Sequence, residues 1–387
     1  MFSNRTNWKL ERNRLTEALE AVRSAGAHIL DLTVSNPTRV GLAYDSAAIL
    51  SALASPRALD YDPQPKGLLE ARRAVARYYE SGHKIQLDPE HLLLTTSTSE
   101  AYSLVFRLLC NSGDELLVPK PSYPLFEFLA DLQDVKLVPY PLIYDHGWQI
   151  DLHSLEKAVT WRTRGVVLVH PNNPTGSYVH EHEREHLNRC CRQHGLALIV
   201  DEVFLDYSLD GKMHRSFAGN QDVLTFTLSG LSKISALPQM KVAWIAANGP
   251  QTELSEAMAR LEVIADTYLS MNAPIQWALP ALLDQKEDIQ HQLLDRVRNN
   301  LTELDRQLAA QTLCQRLNVE GGWYAVLRVP VTQTDEELAV ELLREKSVLV
   351  HPGHFYDFPA DGYLVLSLIA PESEFGEGLG RALETVL

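Results

Sequence analysis

The feature that most constrains this chain is a set of short apolar runs that do not alternate. Residues 165–169, 196–200, 223–228 and 242–247 are apolar along nearly their whole length. A strand with one face in water alternates apolar and polar residues, whereas a strand buried on both faces does not. Between the runs lie stretches of helical character, such as the polar segment 181–194. This order predicts an α/β fold, with a mostly parallel sheet covered by helices on both faces. Ligands in such folds collect at the loops that leave the carboxyl ends of the strands. Past residue 272 the pattern changes to a long charged helix (285–310), a strand (323–329), a helix (335–345), a short strand with a Pro-Gly turn, a strand (363–369) and a closing helix. That second pattern predicts a smaller α+β domain. Residues 7–26 read as an amphipathic helix and 28–34 as a strand. The division expected is a large domain of residues 40–280 and a small domain of 1–39 and 281–387. With 387 residues, 45% of them hydrophobic, the chain has enough apolar material for two cores.

Several strand ends carry polar residues that a buried sheet does not need. Lys233 lies in a Ser/Gly-rich turn between two core strands. Desolvation there lowers an amine's proton affinity and makes it a nucleophile toward carbonyls. A loop lysine that snorkels to solvent is the commoner case. Lys241, eight positions on, offers a second cation that could hold a phosphate. Asp201 closes an apolar run, and a carboxylate so placed needs a cation or a donor. Asn173 sits in HPNNPTG, directly after a strand. Ser97 and Glu100 have capping-box spacing, so a helix begins at Thr98 and Ser99 with free backbone N–H groups, a seat for a phosphate. Tyr123, in KPSYP, offers a flat ring. Each of these alone has an ordinary structural explanation. Together they provide a lysine nucleophile, a buried carboxylate, an anion seat and an aromatic face, the set that pyridoxal phosphate uses.

The exclusions are also informative. A formal net charge of −15 argues against nucleic acid or an anionic membrane as the main partner. No GxGxxG follows a strand, which disfavours a dinucleotide-binding oxidoreductase. The four cysteines match no zinc spacing, no metal site is expected, and no apolar run is long enough to span a bilayer. These features predict reduced cysteines and a cytoplasmic location.

HPNNPTG, DEVF (201–204), LSK (231–233) and HPGHF (351–355) occur in order and at the right spacing. In these motifs the chain resembles the fold-type I pyridoxal-phosphate enzymes, specifically the class I/II aminotransferases, from about residue 35 to 370. The resemblance implies an amino donor and a 2-oxo-acid acceptor as substrates. It implies that Lys233 carries the imine and shuttles the proton, and that Asp201 pairs with the pyridinium nitrogen. Asn173 would bond the ring hydroxyl and Tyr123 would stack on the ring. Thr98 and Ser99 amides, with Lys241, would hold the phosphate. Tyr61 would reach the phosphate of a neighbouring subunit, so a homodimer is expected.

The departures from the family pattern are specific. Lys241 stands where the family usually has Arg, Phe204 where it has Tyr, and Gly230 where it has Ser. Ser97 and Ser35 each replace a usual Gly. Val365 stands where an arginine usually clamps the substrate carboxylate. Ser35 and Arg39 are therefore the expected substrate contacts, Arg39 ahead of His351 and His354 because a guanidinium grips a carboxylate bidentately. Val365 keeps a lyase, a decarboxylase or an amine transaminase open as alternatives. The altered phosphate seat does the same for a pyridoxal-phosphate-binding protein without activity.

Overall fold

The computed structural model describes residues 1–386. Its large sheet has eight strands in the order Leu92–Thr95, Ala243–Asn248, Thr225–Gly230, Ala197–Asp201, Thr163–Val169, Glu115–Lys120, Lys136–Tyr144 and Trp148–Ile150. The five from Thr225–Gly230 to Lys136–Tyr144 run parallel. Ala243–Asn248 is antiparallel to both its neighbours, and Trp148–Ile150 is an antiparallel edge. Burial on both faces explains the lack of alternation. Ile199 packs into the cluster beneath helices Thr98–Leu109 and Gln251–Asp266. Its neighbours Leu198 and Val200 pack on the other face with helix Glu181–His194.

A second, four-stranded antiparallel sheet has the order Gln315–Arg316, Tyr324–Arg328, Tyr363–Ser367 and His351–Pro352. Helices Arg14–Ser24, Lys286–Leu308, Asp335–Lys346 and Glu372–Val386 contribute to its core. Phe204, Tyr207 and Ala236 leave the large sheet's strand ends and are buried in this same cluster. The seam between the two sheets is therefore where those strand ends open.

Two local expectations give way to side-chain capping. The first helix begins at Arg14 rather than near residue 7, because Asn13 Oδ1 accepts the Thr16 amide at 2.7 Å and caps it. The chain before it is an arm, with Trp8 edge-on to Phe128 (5.4 Å between centroids) and its Nε1 donating to Asp131 at 2.7 Å. The strand expected over 28–34 shortens to Leu30–Asp31, since Asp31 Oδ1 turns back to accept both the amide and the hydroxyl of Thr33.

Candidate active site

Strand register brings the predicted residues to one edge. Val169, Asp201 and Leu228 lie side by side on three adjacent strands. HPNNPTG, the 202–207 turn and Lys233 therefore leave the sheet together. Ala243 lies opposite both Gly230 and Thr95. Lys241, two residues before it, thus emerges near the start of helix Thr98–Leu109.

Lys233 does not lie in an open turn. It sits on the four-residue helix Leu231–Ile234, which continues directly from the strand. Its Nζ is 4.6 Å from the Trp323 ring centroid and 5.3 Å from that of Phe204. Burial pushes its amine down to about 8, and the negative charge of Asp201 opposes that shift. Lys233 as a whole is half-buried, whereas Asp201 is buried outright. Burial pushes its carboxyl up to about 6, against the pull of the Val203 amide (3.1 Å to Oδ1), the Tyr102 hydroxyl (3.1 Å to Oδ2) and Lys233. Among the described residues neither group has an ion-pair partner, and burial leaves each near the range where a proton can be given or taken at neutral pH.

The other predicted groups lie on segments that leave the same edge of the sheet. The Asn173 Oδ1 is buried and has no hydrogen-bond partner among the described residues. Its neighbour Asn172 ties two loops, accepting from Ser122 Oγ at 3.0 Å and donating to the Pro121 carbonyl at 3.1 Å. That tie holds Tyr123, whose ring stays 42% exposed and meets Phe126 edge-on. At the helix start, Ser97 Oγ accepts the Glu100 amide at 3.2 Å. The amides of Thr98 and Ser99 keep no intrahelical acceptor. The expected capping box forms only by half. Glu100 turns its carboxylate to the amide and hydroxyl of Thr96 and to Ser270 instead. Lys241 is exposed, with a left-handed φ of 53°.

Gly176 shows why the asparagine motif ends in glycine. Its φ is +70°, and a Cβ there would lie 2.4 Å from Val319 Cγ2 and 2.5 Å from the Gly321 carbonyl. The Gly176 carbonyl accepts the amides of Glu320 and Gly321 at 3.2 and 2.9 Å. This contact docks the small sheet's entry and brings Trp323 over Lys233.

Arg39 ends the 3-10 turn Pro37–Arg39 and is exposed, as is Ser35. The preceding segment is pinned to the small sheet by the Ser367 amide on the Leu32 carbonyl (2.7 Å) and Ser367 Oγ on the Val34 carbonyl (2.6 Å). Val365 is buried, opposite Val326 and His351. His351 Nδ1 is 3.0 Å from the Tyr356 hydroxyl, and His354 is exposed. Tyr61 lies apart from Lys233, 82% exposed, at a cavity of about 590 Å³ that Glu100 and Ser270 also line. No cluster of metal-ligating side chains occurs among the described residues.

Sequence reading missed Tyr102 and Trp323. Tyr102 lies one helical turn beyond Thr98, a spacing that could have marked it. Trp323 reaches Lys233 only through the docking of the two sheets.

This arrangement fits pyridoxal phosphate: a buried carboxylate, an orphaned amide oxygen at Asn173, an open tyrosine face, free helix amides and a lysine of lowered proton affinity. Residues 27–370 match the family model described as aminotransferase class I and II. The chain belongs to that family. This class I/II aminotransferase uses pyridoxal phosphate and moves an amino group between an amino acid and a 2-oxo acid. It is 29% identical over 363 residues to a glutamate-pyruvate aminotransferase of Haemophilus influenzae, covering 90% of this chain and 89% of the relative. It is 30% identical over 357 residues to an alanine aminotransferase of Mycobacterium bovis, covering 89% and 82%. In fold it is similar to the alanine aminotransferase of Pyrococcus furiosus, with a TM-score of 0.92 at 22% identity, covering 100% and 99%. No helix among the described residues is long and apolar enough to cross a membrane.

Proposed function

We propose that Lys233 is the residue of this aminotransferase that holds the cofactor covalently and moves the proton at the substrate's α-carbon. The observation that carries this reading is the half-buried Lys233 amine, which faces the Trp323 and Phe204 rings and is pushed down to about 8 by desolvation. An amine so poised loses its proton near neutral pH and takes one back. Pyridoxal phosphate, when bound, supplies the electron sink for that chemistry. Asp201 holds a proton on the ring nitrogen, Asn173 orients the ring hydroxyl and Tyr123 covers the ring face. The Thr98 and Ser99 amides, with Lys241, hold the phosphate. Residues 40–280 act as the cofactor domain, with 1–39 and 281–387 as the small domain, in a cytoplasmic homodimer. The names of the relatives favour alanine, glutamate and their oxo acids as substrates. Borohydride reduction should fix the cofactor on Lys233, and Lys233→Ala should lose both the adduct and nearly all turnover. An adduct mapped by mass spectrometry to Lys241 would overturn the assignment.

Arg39, with Ser35 beside it, receives the substrate carboxylate. Its guanidinium is exposed and has no ion pair among the described residues. Arg39→Ala should raise KM for amino acids at least about tenfold, roughly 1.4 kcal/mol, with cofactor binding unchanged. A second reading rests on Val365, which leaves that part of the small sheet apolar. On that reading the enzyme accepts amines that lack the carboxylate. Comparing one amino acid with its decarboxylated counterpart separates the two. Equal use of both by wild type, with no loss in Arg39→Ala, removes Arg39 from the site.

A further inference from the structure

A four-residue helix has almost no interior; the following amides cap part of it, Ser235 and Leu237 on the Leu231 carbonyl and Ala236 on that of Lys233. Three side chains from three other parts of the chain add further bonds to the Lys233 turn. The Lys233 carbonyl accepts from the Tyr207 hydroxyl at 2.6 Å. The Ile234 carbonyl accepts from Gln290 Nε2 at 2.9 Å, and the Ala236 carbonyl from the Tyr44 hydroxyl at 2.9 Å. Gln290 gives its other amide proton to Asp206 Oδ2 at 2.7 Å. Asp206 Oδ1 meets the Tyr78 hydroxyl at 3.0 Å and His83 Nε2 at 3.1 Å. Burial alone would raise the Asp206 carboxyl, yet His83, Gln290 and Tyr78 together hold it below the usual carboxylate range.

Asp206 and Tyr207 belong to the same turn that leaves Asp201. Two adjacent residues of the Asp201 turn thus hold two adjacent carbonyls of the Lys233 turn, one directly and one through Gln290. Gln290 also stands on the long helix Lys286–Leu308, which holds the small domain's last strand region and the segment 40–43. Gln292 bonds the Ala43 amide and carbonyl at 2.8 and 3.0 Å. Arg296 donates to the Val40 carbonyl at 3.1 Å, and Asn300 to those of Leu368 and Ala370 at 2.8 Å.

We propose that Gln290, fixed by Asp206, acts with Tyr207 as a positioning set that keeps Lys233 at its working distance from Asp201 and links it to the small domain through the long helix. The proposal rests on the reading of Lys233 as the cofactor's lysine. None of the three touches the reacting atoms. Their effect is on where the amine stands, and small misplacements of a reacting group carry large rate penalties.

The test uses Gln290→Leu, which removes both donors at similar volume, and Tyr207→Phe, which removes one hydroxyl. In variants whose unfolding midpoint stays close to wild type, kcat should fall at least about tenfold while KM and cofactor affinity stay within about twofold. In the cofactor-free protein, trace acetylation of Lys233 followed by peptide mass should be half-maximal near pH 8 for wild type. In the variants that midpoint should move up toward an ordinary lysine, because a relaxed turn lets the amine reach water. A folded variant with unchanged kcat and unchanged acetylation overturns the proposal. If Gln290→Leu does not fold, Tyr207→Phe decides alone by the same readings. A wild-type borohydride adduct on another lysine defeats the reading of Lys233 itself. An adduct on Lys233 with unaltered acetylation in the variants defeats only the positioning role.

Discussion

Asp201 and Lys233 are each held away from their ordinary ionisation by burial, in opposite directions, and that is their shared asset. The Asp201 carboxyl rises from 3.8 to about 6 in the folded chain. Folded protein then binds that proton more tightly than unfolded chain does, so stability falls as pH rises from about 4 to 6. The full cost is present at pH 7, about 3 kcal/mol, with the attraction of Lys233 already included in the shift. Asp201→Asn keeps a partner for Tyr102 and Val203 but carries no charge. It should therefore raise the denaturant midpoint of the cofactor-free protein at pH 7–8, with the gain shrinking toward pH 4, while turnover falls more than about tenfold. The same change withdraws the charge that holds Lys233's proton, so the lysine's acetylation midpoint should drop below about 8. A variant no more stable than wild type at pH 8 would mean that burial is not what governs Asp201.

At the scale of elements, the strand pair around Lys233 explains one departure from the family pattern. Gly230 has an extended φ of 174°, which any residue adopts, so backbone conformation does not require glycine there. Space does. A Cβ at 230 would lie 2.7 Å from the Val242 carbonyl oxygen and 2.8 Å from Ala243 Cα. The neighbouring strand has closed on the position a serine would take, and the Leu231 amide bonds the Val242 carbonyl at 3.0 Å. Gly230→Ser should thus destabilise the protein by roughly 1–3 kcal/mol, as overpacking against backbone does. It should weaken pyridoxal phosphate binding rather than restore a contact. Tighter binding, measured by cofactor titration with stability intact, would show that the strands part easily.

At the scale of the whole molecule, exposed apolar side chains mark a surface to be covered. Tyr61 and Leu269 are exposed and line the cavity that also reaches Glu100 and Ser270, and the exposed Leu59 and Tyr268 are close to them in sequence. Clustered exposed apolar residues mark an interaction surface. A second copy there would bring its Tyr61 toward this chain's helix start. Mixing inactive Tyr61→Phe and Lys233→Ala proteins should restore activity on subunit exchange, since one hybrid site regains both residues. Full activity in a monomer, measured by sedimentation at assay concentration, would rule this out.

Non-alternating runs declare a sheet buried on both faces, and the sequence alone therefore determined the fold class and the strand ends that matter. It also pointed to Lys233, Asp201 and Asn173, because each is a polar residue placed where an apolar strand stops. The cap at Asn13 was legible in kind but outweighed by helical periodicity, which extended the first helix too far. What the sequence could not carry is contact between distant segments. Trp323 lies 90 residues from Lys233 in the chain and meets it only because Gly176 lets the two sheets dock. Gln290 on a helix and Tyr44 and Tyr207 on two separate loops converge on one short turn. The poise of Lys233 and Asp201 follows from which rings and donors surround them, and burial of that kind is decided only when the elements pack.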